Sequence, residues 1–112
     1  MNIKSGIKLL EDVEGLGKKI NNGDYVEIRL NGWLSKGEQI QKDHVVKLKP
    51  GSRAIIPGIE HAIVGMKKYG KRTVKISPHL AYKEKGVEGL IPPGSLLIYE
   101  IEVLDVKSNS NQ

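Results

Sequence analysis

"PGIEHAIVGMKKYG", residues 57–70, is the stretch whose reading decides the fold. Its apolar residues Ile59, Ala62, Ile63 and Met66 recur at i, i+3, i+4 and i+7, the spacing that puts side chains on one face of a helix. Pro57 suits a first helical turn, where its missing N–H is not needed. Lys67 and Lys68 stand where cations favour the negative end of a helix dipole, and Gly70 can close the last turn. The spacing predicts one short amphipathic helix reaching these lysines.

On either side of that stretch the period changes to two. In Tyr25-Val26-Glu27-Ile28-Arg29-Leu30, the apolar Val26, Ile28 and Leu30 share a face opposite Glu27 and Arg29. Val46-Lys47-Leu48-Lys49 and Arg72-Thr73-Val74-Lys75-Ile76 repeat the alternation. In the last such segment Leu97, Tyr99, Ile101 and Val103 oppose Glu100 and Glu102. Half-buried antiparallel strands read this way, because successive side chains point to opposite faces of the sheet. A further short strand is expected over Ile7 to Leu10. Asn21-Asn22-Gly23-Asp24, Lys36-Gly37 and Pro50-Gly51 supply turns between strands, and Gly15-Leu16-Gly17 also reads as a turn. A helix among such strands must lay its apolar face on their sheet. The expectation is an α+β fold: an antiparallel sheet of about five strands curled around one short helix. Residues 1–107 form the predicted domain, and the polar tail Ser108-Asn109-Ser110-Asn111-Gln112 is expected to be disordered.

A chain of 112 residues fits one domain with a single core. No apolar run approaches the roughly 20 residues that span a bilayer. The amino terminus, MNIKSGIKLL, lacks the apolar segment of a signal peptide. With no cysteine there is no disulfide, thiol nucleophile or cysteine-based zinc site. These features are compatible with a cytoplasmic protein that does not bind a membrane. The net charge is +5, densest at Lys67, Lys68, Lys71 and Arg72. Nucleic-acid binding would need aromatic stacking platforms or a recognisable motif beside such a patch, and neither is visible. A solvated basic surface is the expected reading.

Catalytic chemistry with nucleophiles or metals needs convergent groups that this sequence lacks. His44, His61 and His79 are not at metal-ligand spacing, and Glu38 and Asp43 flank polar loop residues. No metal or other cofactor is expected. What the sequence offers instead is apolar. Arg53-Ala54-Ile55-Ile56-Pro57-Gly58-Ile59 places three isoleucines at a helix start, where backbone N–H groups are free. An apolar pocket with a donor at its rim is a ligand-site layout, and plain core is the competing reading.

The run from Gly51 to Val103 resembles the FKBP-type peptidyl-prolyl isomerases, which bind the macrolides FK506 and rapamycin. The matching pieces are "IIPGIEHAIVGMKKYGKR", "VKISPHLAY", "LIPPGSLLIYEIEV" and, ahead of that run, "GDYVEIRLNGWLSKGEQI". Ala81-Tyr82, followed by Ile91-Pro92-Pro93 ahead of the final strand, is the most specific part. No long insertion separates Tyr82 from Pro92, so the insert-in-flap chaperone domain of some bacterial relatives is missing.

The resemblance implies a five-stranded half-barrel around one helix. It also implies cis/trans isomerisation of X-Pro bonds in proline-containing polypeptides, an aid to protein folding, with no cofactor. It places Tyr82 and Ile56 in catalytic positions, the Tyr82 hydroxyl and the Ile56 N–H each binding a carbonyl. Ile59 is the floor of the pocket, with Ile55 beside it, Leu90 and Ile91 in the flap loop and Tyr99 on the last strand. Leu30, Ile40, Gln41 and Val46 complete the ring.

The chain also departs from the family. Relatives commonly carry tyrosine at Leu30, phenylalanine at Ile40, Val46 and Tyr99, aspartate at Gln41 and tryptophan at Ile59. A glycine often follows the tyrosine, where Lys83 stands here. There is no phenylalanine in the chain, and its one tryptophan, Trp33, is elsewhere. Losing aromatic walls widens the pocket and removes ring edges that meet a carbonyl oxygen. The expected consequences are a slow isomerase acting as a monomer, with weak FK506 or rapamycin binding. The alternative is a non-catalytic module that holds proline-containing or unfolded segments.

Overall fold

Alternating sequence becomes alternating burial. In β3 (Tyr25–Leu34) the side chains of Val26, Ile28, Leu30 and Leu34 are buried, while Glu27, Arg29, Asn31 and Trp33 reach the outer surface. In β6 (Leu97–Lys107) Leu97, Tyr99, Ile101 and Val103 do the same. The structure is a computed structural model and describes residues 2–21 and 23–108, with main chain alone for Asn2 and Ile3. The expected disorder of residues 109–112 and the second residue of the Asn21–Asp24 turn lie outside the described residues. The remaining elements are β1 (Asn2–Lys4), β2 (Ile7–Val13), β4 (Gln39–Leu48), α1 (Pro57–Ala62) and β5 (Lys71–Ile76). A 3₁₀ turn over Pro78–Leu80 precedes the flap loop.

The strands form one antiparallel sheet in the order β1-β2-β5-β6-β3-β4. Five of them are the expected strands, and β1 is a three-residue addition at the edge. The first expected strand, Ile7 to Leu10, extends to Val13 through a register shift between Leu9 and Glu11. A bulge lets the pairing with β5 continue although the alternation does not.

The helix is shorter than its apolar spacing predicts. It ends at Ala62, and Gly65 adopts φ +82, a left-handed conformation that stops further helical turns. Lys67 and Lys68 therefore lie beyond the helix rather than in its last turn, and Gly70 does not close it. The apolar face persists across this break: Ile59, Ala62, Ile63 and Met66 are all buried. The helix lies close against β5, where a Cβ on Gly58 would come within 2.4 Å of Ile76 Cγ2. Arg72 sits below the helix end and donates to the carbonyls of Ala62 (2.8 Å) and Val64 (3.0 Å). The first is a carbonyl that the helix end leaves without a partner, and the second belongs to the turn just beyond it.

The basic patch is not a bare cationic face. Lys67 pairs with Glu14, Lys68 with Asp105 and Arg72 with Asp12, while Lys71 lies 3.8 Å from Glu100. Gly15 packs on the Lys67–Gly70 backbone and Gly17 on the Lys68 side chain, contacts that a Cβ would block. No described helix is long and apolar enough to cross a membrane. The described residues contain no group of three or more His, Asp or Glu side chains able to hold a metal ion.

Candidate functional site

The site is assembled from the half of the inner sheet face that α1 leaves uncovered. Three cross-strand rows define it. Val103, Ile28 and Val46 lie side by side, followed by Ile101, Leu30 and His44, and then by Tyr99, Gly32 and Gln41. Residues directly opposite in antiparallel strands share a face. The first row is apolar, the second ends in an exposed histidine and the third in an amide.

The third row depends on a glycine. A Cβ on Gly32 would fall 2.5 Å from Tyr99 Cζ and 2.9 Å from its hydroxyl. The Tyr99 ring therefore crosses β3 over Gly32 and reaches β4. There its hydroxyl donates to Gln41 Oε1 at 2.8 Å. On β4 the register shifts between His44 and Gln41, where Asp43 takes φ 47 and its N–H donates to Asn31 Oδ1. That bulge brings His44 and Gln41, three positions apart in sequence, onto the same face.

Two loops close over these rows. The segment before α1 carries Ile55 and Ile56. It is tied down at its start by a hydrogen bond from the Gly51 N–H to Glu60 Oε1. Ile56 is the N-cap of α1, with its carbonyl accepting from Ile59 and Glu60 N–H groups. Its own N–H has no acceptor among the described residues. Pro57 at the first turn makes the extended backbone of Ile56 favourable, because proline disfavours a helical conformation in the residue before it.

The second loop runs from the 3₁₀ turn to β6. Lys83 N–H bonds back to Pro78 O at 2.8 Å and Gly86 N–H to Tyr82 O at 2.9 Å, a tight coil that holds Tyr82 at the site. Val87 and Ile91 then exchange two backbone hydrogen bonds of 2.7 Å each, pinning the flap as a small hairpin. Gly86 permits this closure, since a Cβ there would stand 2.2 Å from Ile91 O.

The residues singled out from sequence fall into a floor and a rim. Leu30, Ile59, Ile91 and Tyr99 are buried members of the apolar core. Ile40, Val46, Ile55, Ile56 and Tyr82 are partly buried and packed against it. Gln41 joins through Tyr99. Leu90 stands apart at the flap tip, 47% exposed. Sequence reading did not single out Gly32, His44, Leu80 or Val87. Leu80 and Val87 carry no periodic signal because they lie in turns. The positions of Gly32 and His44 follow from register, which a single strand does not encode.

Electrostatically the site is neutral and rich in donors. Burial raises the Tyr82 phenol above its ordinary value. Burial raises Tyr99 further, and the neighbouring Tyr82 phenol adds to the effect. Both hydroxyls therefore stay protonated at neutral pH. The Tyr82 hydroxyl has no hydrogen-bond partner among the described residues. A floor of aliphatic and phenol side chains, with unpaired O–H and N–H donors at its rim, can hold an apolar group whose flanking carbonyls need donors.

Residues 17–104 match the sequence profile of the FKBP-type peptidyl-prolyl cis-trans isomerases. An FK506-binding protein of Neisseria meningitidis serogroup A is 32% identical over 106 residues, which cover 90% of this chain and 97% of that protein. FK506-binding protein 1A of Neurospora crassa is 32% identical over 107 residues, covering 91% and 89% respectively. Among solved structures, AtFKBP13 superposes with a TM-score of 0.82 at 28% identity, over 93% of this chain and 94% of that one.

Proposed function

The chain belongs to the FKBP-type peptidyl-prolyl cis-trans isomerase family, and we propose that it isomerises X-Pro bonds of polypeptides in the site between β3, β4, α1 and the flap. The observation that carries this reading is the half-buried Tyr82, whose unpaired hydroxyl borders an apolar floor. The chemistry asks for no more than such a site supplies. Resonance sets the peptide barrier at about 18–20 kcal/mol. The barrier falls when the C–N bond loses double-bond character. Water stabilises the charge-separated planar amide, so an apolar pocket favours the twisted one. Acceleration requires that the pocket bind the twisted amide better than the planar one.

In this reading Ile59 lies beneath the proline ring, with Ile55, Val46, Ile40 and Leu30 around it. Tyr99 and Ile91 close the base, and Leu90 extends the contact along the flap. The Ile56 N–H and the Tyr82 hydroxyl each hold a substrate carbonyl, the latter the one before the proline. Both fix the amide in the dry site, which is where orientation contributes to rate. The aliphatic floor makes the turnover slow and the binding of FK506 or rapamycin weak.

Isomerisation of an X-Pro tetrapeptide, compared between the wild type and Tyr82→Phe, tests the proposal. Loss of one hydrogen bond worth about 0.5–1.5 kcal/mol predicts a fall in kcat/KM of about twofold to tenfold, with the fold intact. An unchanged rate would remove the hydroxyl from the mechanism. The aliphatic Ile59 at the floor favours a second reading, a module that binds proline-containing or unfolded segments without turnover. Peptide binding without isomerisation in the wild type would select it.

A further inference from the structure

We infer that Tyr99 is a positioning residue: its hydroxyl holds the Gln41 side chain so that the amide NH2, and not the amide oxygen, is offered to a carbonyl of the bound peptide. The inference rests on the functional reading above and adds a recognition element to the same site.

A glutamine amide has one acceptor oxygen and two N–H donors. At Gln41 the oxygen is engaged, accepting from Tyr99 at 2.8 Å. Its Nε2 has no partner among the described residues, and the side chain is half-buried at the rim. The geometry that fixes this choice is rigid. Tyr99 is 2% exposed, and its ring is confined over Gly32 between β6 and β4. The phenol cannot swing away without leaving its place in the core. With the Tyr99 O–H donating to the amide oxygen, both amide N–H donors are left for a ligand. The rim therefore presents a neutral donor beside the Tyr82 hydroxyl. A carboxylate at position 41 would present only acceptors. Ligands that place a carbonyl at this point are selected over those that place an ammonium group there.

Gln41→Glu separates orientation from mere contact. The glutamate keeps an oxygen for the Tyr99 hydroxyl but, once ionised, has no donor left. For a proline tetrapeptide near pH 7, the variant is expected to raise KM about tenfold, with kcat changed far less. The defect should shrink as pH falls toward the glutamate pKa, ordinarily about 4.3 and raised by burial, because the protonated acid can donate. The titratable groups around position 41 are Tyr82, Tyr99 and, along β4, Lys42, Asp43 and His44. All are common to both proteins, so the variant-to-wild-type ratio at each pH isolates the new carboxyl. Tyr99→Phe keeps the ring, releases the amide and is expected to raise KM about threefold.

Calorimetric binding of the same peptide gives a readout independent of turnover. A Gln41→Glu protein that binds like the wild type at every pH overturns the inference and leaves the isomerase reading intact. A wild type that binds without turnover, together with a pH-dependent Gln41→Glu defect, overturns the isomerase reading and keeps the inference. A wild type that neither binds nor isomerises the peptide overturns both. Should Tyr99→Phe fail to fold, Gln41→Glu alone decides.

Discussion

The inner face of the sheet has a half beneath α1 and a half beneath the flap, built by the same alternation in neighbouring strands. Beneath the helix, Val74 and Ile76 are fully buried against Ile59, Ala62 and Ile63. The polar Arg72 there spends its guanidinium on helix-end carbonyls and on Asp12. Beneath the flap, the rows end in His44 and Gln41, and the Tyr82 hydroxyl and Ile56 N–H are left without protein partners among the described residues. The difference lies in the cover. A helix covers its half, so the Arg72 guanidinium there finds its partners within the protein. A loop leaves its half reachable, so donors can wait for a ligand.

This contrast can be broken most forcefully beneath the helix. Ile76→Ala removes a fully buried side chain that touches α1 at Gly58. Urea unfolding should show a loss of about 2–5 kcal/mol. A loss below about 1 kcal/mol would mean that the helix does not depend on this contact. Gly32→Ala probes the other half. The new methyl collides with the Tyr99 ring, so stability should fall by about 1–3 kcal/mol. Peptide affinity should fall with it, as the bond to Gln41 is lost. If affinity stayed at the wild-type level while stability dropped, the two halves would be independent and the Tyr99–Gln41 link irrelevant to binding.

The smallest effect is alkaline. Burial raises the folded phenols of Tyr82 and Tyr99, whereas an unfolded tyrosine ionises near about pH 10. Their contribution to stability is present in full below that value and is lost as pH rises through the folded values. Melting temperatures measured from pH 8 upward should decline above about pH 10. The decline should be shallower in Tyr99→Phe. An identical slope in both proteins would show that Tyr99 is not the group being held protonated.

Much of the sheet was legible in the sequence, on both halves of its inner face. Val26, Ile28 and Leu30 announce one face of β3, and Leu97 to Val103 announce one face of β6, because period two survives wherever a strand runs straight. The helix was legible by its face but not by its length. Ile59, Ala62, Ile63 and Met66 are all buried as their spacing requires, yet the last lies beyond Gly65, whose left-handed backbone ends the helical run. Apolar spacing reports which side chains are buried, and the chain can bury Met66 from a turn as well as from a helix.

The two loops that close over the flap half were legible only as a resemblance. Tyr82, Ile55, Ile56 and the Ile91-Pro92-Pro93 run were visible as a resemblance, and the absence of phenylalanine was visible as a departure from it. The role of Tyr99 was not. The sequence by itself determined the alternating faces, the helical stripe, the turn residues and the family to which they belong, because each is a local pattern of side chains along one chain. Only the tertiary structure decided that Tyr99 crosses Gly32 to meet Gln41, 58 positions away, and that His44 shares the face of Leu30. Those meetings depend on the pairing of β3 with β4 and β6, and on a bulge at Asp43. Cross-strand register is a property of two strands together, so neither sequence segment carries it alone.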